Sequence, residues 1–120
     1  MARKFNLLKR MKKNFIILKP LNYLDSLFYQ KNARLILTDS GGIQEEASYL
    51  GVPCITLRNE TERPITLKLG TNTIGGVTKK SILAAYKKKN LKRKNTKIPL
   101  WDGKAAERIG NLLEKILEEI

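Results

Sequence analysis

The chain has 120 residues, 42% of them apolar, enough for one domain with a modest core and inconsistent with intrinsic disorder. It carries 24 Lys+Arg against 11 Asp+Glu, a net charge of +13, with one cysteine and no histidine. That inventory excludes a zinc site, a histidine triad and an internal disulfide, and no apolar run approaches the roughly 18 residues of a membrane span.

Residues 4–12 are basic and mixed, and predict a short helix or its tail. "NFIIL" (Asn14 to Leu18) is apolar and β-branched and predicts a buried strand that Pro20 stops. Leu21, Leu24, Leu27 and Phe28 follow at spacings of three and four, the helical period. "RLILT" (Arg34 to Thr38) predicts a second strand. A Ser-Gly-Gly turn then opens a helix from about Gly42 to Leu50, which Gly51 ends. "PCITL" (Pro53 to Leu57) predicts a third strand, with Cys54 as a small buried hydrophobe. The polar loop "RNETERP" leads into a short helix with Pro64 in its first turn and Gly70 at its end. "TNTIGG" predicts a fourth strand and turn, and "KKSILAAYKKK" a short amphipathic helix. In "WDGKAAERIGNLLEKILEEI", Ala106, Ile109, Leu112, Leu113, Ile116 and Leu117 line one face of a long helix, with Trp101 as packing anchor and Asp102 as N-cap. Strands alternating with helices in this way predict an α/β fold: a Rossmann-like parallel sheet with helices on both faces.

Ligands of open parallel sheets bind beyond the carboxyl ends of the strands. Thr38, Asp39, Ser40, Gly41 and Gly42 stand at such an end. Glycine lets backbone approach a ligand, and the helix that follows aims free N–H groups and partial positive charge at it. Ser40 adds a hydroxyl, so the turn reads as a phosphate seat, although such turns also arise from strand-to-helix geometry alone. Glu45 and Glu46 fall in the first turns of that helix. Adjacent helical residues point about 100° apart, which disfavours an acid/base dyad. One of them, a turn past the seat, suits hydrogen bonds from ribose hydroxyls. Arg63, in the loop after the next strand, suits a diphosphate, or else a surface ion pair with Glu60 or Glu62.

"LTDSGGIQEEASYLGVPCITLRNETERP" resembles the signature block of non-hydrolysing UDP-N-acetylglucosamine 2-epimerases. "GTNTIGG", "WDGKAAERI" and "PLNYLDSLFYQKNARLILTDSGG" resemble flanking segments of the same family, so the resemblance covers about residues 14–118. It implies that residues 1–120 form a single, incomplete C-terminal UDP-binding domain, a truncated half of the two-domain glycosyltransferase-B architecture. The implied reaction interconverts UDP-GlcNAc and UDP-ManNAc by anti elimination of UDP and syn re-addition, with no added redox cofactor. By motif match, Ser40, Gly41 and Gly42 correspond to diphosphate contacts, Glu46 to the ribose carboxylate, and Arg63 to an arginine at the nucleotide sugar. The family's acid/base carboxylates and an interdomain histidine have no counterpart here, so no catalytic residue is expected in this chain. Leu21 and Ser26 stand where the family can carry uracil contacts.

These readings lead to a chain that binds UDP or UDP-N-acetylglucosamine and needs a complementary N-terminal domain for catalysis. The alternative is a non-catalytic nucleotide-binding or interaction module, in which a bare sheet edge could pair copies of the chain into a homo-oligomer. Nucleic-acid binding is a weaker reading. The basic clusters "KRMKK" and "KKKNLKRKNTK" lack interleaved aromatics, and Lys outnumbers Arg, the usual base reader. A cytoplasmic location without membrane contact is expected.

Overall fold

The computed structural model describes residues 14–120. The helix expected within residues 4–12 and the "KRMKK" cluster lie outside the described residues, Lys13 included. Helix α1 spans Tyr23–Asn32 and starts at Asn22, whose side chain accepts the Asp25 N–H at 2.9 Å. Strand β1 is Ile36–Thr38, helix α2 is Gly41–Leu50, and strand β2 is Cys54–Thr56. Helix α3, Pro64–Lys68, has its proline in the first turn, where no N–H is needed. Strand β3 is Asn72–Ile74 and helix α4 is Lys79–Lys88, opened by a Thr78/Ser81 capping box. Helix α5 spans Ala105–Glu118.

The three strands form one parallel sheet in the order β1-β2-β3, with Ile36 opposite Cys54 and Cys54 opposite Asn72. β2 lies in the middle and is wholly buried. Val52, Cys54, Ile55 and Ala47 are fully buried and make the core. Side chains alternate across a strand. Thr56 turns toward α2 and joins Asn72 by a 2.6 Å hydrogen bond. Ile55 turns to the other face, where Gly75 and Ile82 of α4 meet it. Helices thus flank both faces, as the alternating pattern requires.

Three expectations are corrected. Asn14–Leu18 is not a strand. It has no strand partner among the described residues, and Phe15, Ile16, Ile17 and Leu18 are exposed. An apolar strand needs a ladder partner and cover on both faces, and among the described residues neither is present. Asp102 is not the N-cap of α5. Lys104 holds that position without a side-chain cap, and Asp102 instead accepts the Lys104 N–H at 3.0 Å and pairs with Arg108. Those two contacts, the backbone one foremost, hold the Asp102 carboxyl below the usual carboxylate range. Gly70 does not cap α3, which ends through Leu69. It is glycine because a Cβ there would lie 2.2 Å from Ser48 Oγ. Gly51 does end α2, in the left-handed conformation at φ 75°.

Among the described residues, no helix is long and apolar enough to cross a membrane, and no cluster of His, Cys, Asp and Glu could hold a metal ion.

Candidate functional site

The site is built where β1 runs into α2. Thr38 ends the strand, and its Oγ1 accepts the Ser40 N–H at 3.0 Å, which turns the chain sharply. Ser40 then caps α2, its Oγ accepting the Ile43 N–H at 3.4 Å. Because Oγ acts there as acceptor, the hydroxyl proton stays free to donate. The N–H groups of Gly41 and Gly42 belong to the first helical turn, which has no acceptors of its own.

The two glycines are not needed by the fold. The left-handed glycines among the described residues are Gly51, Gly76 and Gly103, not these two. The atoms nearest a Cβ on Gly41 would be those of the Arg63 guanidinium, at 3.6 Å and beyond, and one on Gly42 would meet only Ser40 Oγ, at 3.9 Å. Both are ordinary van der Waals separations. Glycine in a helix costs about 0.5–1 kcal/mol relative to alanine, so its use here has a reason outside packing. A bare surface at two consecutive amides, open to an approaching group, is that reason's geometric content.

Arg63 closes the seat from the far side. Its guanidinium lies over Gly41 and pairs with Glu45, and a second carboxylate, Glu62, is 3.9 Å away. The expectation of a local pair with Glu60 or Glu62 thus catches only the minor partner. Glu45 holds the arginine from 18 residues away. Both side chains are about 40% exposed (42% and 41%), so the pair adds little to stability and acts mainly on orientation.

Glu46 points elsewhere. Its Oε2 accepts Gln30 Nε2, from α1, at 2.7 Å. The two glutamates are therefore divided between different partners on different elements, and no carboxylate dyad forms.

Beneath the seat lies a polar network that the sequence does not announce. Buried Gln44 accepts hydrogen bonds through Oε1 from Thr61 Oγ1 and from Asn72 Nδ2, the latter at 3.1 Å. Asn72 also donates to Thr66 Oγ1 at 3.1 Å and accepts from Thr56 Oγ1. Thr66 Oγ1 donates to the Arg63 carbonyl at 2.6 Å, and the Arg63 N–H donates to Thr61 Oγ1 at 3.0 Å. The ring ties α2, β2, β3 and α3 to the backbone of Arg63. It fixes the loop that aims the guanidinium. The only sequence signal is polar residues at buried positions of a helix and a strand.

The basic run after α4 serves another place. Lys89, Lys92, Arg93 and Lys94 line a cleft of about 580 Å³ beside Pro53 and Thr71, at the amino ends of the strands and away from the seat. Leu21, exposed, and Ser26, half-buried, lie before and on α1, and Ser26 Oγ contacts Gln30.

The family model for UDP-N-acetylglucosamine 2-epimerase matches residues 1–114. The UDP-N-acetylglucosamine 2-epimerase of Methanocaldococcus jannaschii is 47% identical over 113 residues, 92% of this chain and 31% of that protein. Its counterpart in Methanococcus maripaludis is 40% identical over 111 residues, 91% of this chain and 30% of that protein. Among solved structures, the M. jannaschii enzyme in complex with UDP-GlcNAc and UDP superposes with a TM-score of 0.78 at 46% identity, covering 94% of this chain and 32% of the other. The S. aureus MnaA–UDP co-structure gives 0.75 at 35% identity, covering 87% and 30%. The chain spans about a third of the length of these relatives.

Proposed function

Because the chain belongs to the UDP-N-acetylglucosamine 2-epimerase family, an isomerase family, we propose that it is the part of such an enzyme that holds the UDP end of the substrate. In this reading residues 1–120 are a single, incomplete C-terminal domain. The diphosphate rests on the amides of Gly41 and Gly42 and on the Ser40 hydroxyl. Arg63 neutralises it, and Glu46 accepts hydrogen bonds from the ribose hydroxyls. The observation that carries the reading is the pair of glycines at a helix N-terminus, Gly41 under the Arg63 guanidinium and Gly42 open, neither with a packing reason.

The reaction is the interconversion of UDP-GlcNAc and UDP-ManNAc. The proton on C2 is removed, the C1–O bond to UDP breaks, and re-addition gives the epimer. Negative charge collects on the departing diphosphate. Preorganised N–H groups, a helix N-terminus and a guanidinium stabilise that charge best as it develops. This chain's contribution is therefore to the leaving group. The C2 proton needs groups supplied from elsewhere, since Glu45 is paired with Arg63 and Glu46 is assigned to the ribose hydroxyls. A complementary N-terminal domain is the partner that would supply them. No redox cofactor enters, and a cytoplasmic location and assembly into homo-oligomers belong to the same proposal.

The test is epimerase activity of the chain alone, and mixed with the remaining two thirds of a relative such as the M. jannaschii enzyme. No activity alone and recovered activity on mixing is the expected result. Full activity of the lone chain would show that it holds catalytic groups after all. A mixture that neither turns over nor binds UDP would remove the site assignment.

A further inference from the structure

We propose that Gln30, on α1, is the positioning residue that aims the Glu46 carboxylate at the ribose of bound UDP. The proposal rests on the site reading above and adds to it a determinant from a different helix. Gln30 is only 7% exposed although it is polar and lies on a helix whose other residues face largely outward. Its Nε2 donates to Glu46 Oε2 at 2.7 Å and to Ser26 Oγ at 3.3 Å. Its Oε1 is buried and has no partner among the described residues.

The orphaned oxygen shows which contact governs the side chain. Turning the amide over would set a carbonyl oxygen against a carboxylate, two acceptors with no proton between them. The amide therefore keeps its N–H on Glu46 and leaves Oε1 unpaired, a costly arrangement for a buried group. A hydrogen bond to an ionised acceptor is about twice as strong as a neutral one, which is what makes the arrangement tenable.

The consequence falls on Glu46. A glutamate on a helix surface samples many rotamers, and ordering it on binding weakens the complex. Gln30 fixes Oε2 in advance. Among the described residues this is the hydrogen bond that Glu46 accepts, so Oε1 and the second lone pair of Oε2 stay available. A pair of vicinal hydroxyls needs two such acceptor positions in a fixed relation. Sequence gives no hint of the link, because Gln30 and Glu46 are 16 residues apart on different helices.

Calorimetric titration of the full chain with UDP and with 2′,3′-dideoxy-UDP tests this. The wild type should prefer UDP. Gln30→Met, which keeps length but loses the donor, should lower the UDP preference about tenfold and leave dideoxy-UDP affinity unchanged. Gln30→Glu keeps the shape and replaces the donor by a like charge, and should lower the preference at least as far. It serves if circular dichroism finds Gln30→Met unfolded. If both Gln30 variants keep the preference while Glu46→Ala loses it, the proposal fails and the site reading stands. If a folded Gln30→Met loses affinity for both ligands in parallel, Gln30 is structural only and the proposal fails too. If the wild type binds neither ligand, or both equally, the site reading falls and takes the proposal with it.

Discussion

Gly42 carries a cost that nothing in the fold recovers. A Cβ there has room, and the backbone is not left-handed. Gly42→Ala should therefore raise unfolding stability by about 0.5–1 kcal/mol. It should also weaken UDP binding at least about tenfold, because the methyl group occupies the ligand's approach. Thermal denaturation and calorimetry on the same samples measure both. Opposite signs are the signature of a residue kept for function, whereas a structural glycine would lose stability. Glu45 acts at one remove. Glu45→Gln should change stability by less than about 1 kcal/mol, since the pair is partly exposed, yet lower UDP affinity several-fold as Arg63 loses its guide. The strand-to-helix turn is legible in the sequence, because Ser-Gly-Gly at a strand end opens a helix with Ser40 as its cap. The partner of Arg63 is not. Sequence proximity suggests Glu60 and Glu62, and the fold brings Glu45 closer from 18 residues away.

At the scale of elements, the order of strands and helices is readable from apolar runs and their punctuation by Pro20, Gly51 and Pro64. The exception is Asn14–Leu18, whose composition is that of a buried strand but whose pairing depends on neighbours that composition does not specify. The basic run is a second case. Its charge suggests a solvated surface or a polyanion site, but its backbone and side chains close the carboxyl ends of two helices. Arg93 donates to the Lys31 carbonyl of α1, Thr96 to the Ser48 carbonyl of α2, and the Lys94 N–H to the Gly51 carbonyl. The polar ring beneath Arg63 is the least legible element contact and the most demanding. Asn72→Ala leaves Gln44, Thr56 and Thr66 short of partners, and should cost about 2–3 kcal/mol in denaturant unfolding. Beside it, burial pushes the Cys54 thiol up to about 11, with Lys89 opposing. A thiol so raised stabilises the fold below its ordinary 9.0, and that contribution is lost as pH rises through about 11. Cys54 should resist a thiol reagent at pH 8 and react at once in denaturant, whereas fast labelling of the native chain would place it in solvent.

Among the described residues, far more large apolar side chains are exposed than are buried in the core. α5 buries no residue, and Ile109, Leu112, Leu113, Ile116 and Leu117 are all more than half exposed. The sequence shows that stripe plainly, but a stripe only states that something should cover it. In isolation the chain should associate with rising concentration, and Leu113→Glu should reduce that association in sedimentation runs. The proposed binding of UDP by this chain alone needs no partner. Calorimetric titration with UDP tests it most directly. One UDP per chain with Kd below about 1 mM, weakened at least about tenfold in Gly42→Ala, is the expected result. No heat from UDP, or equal affinity in wild type and Gly42→Ala, would contradict it.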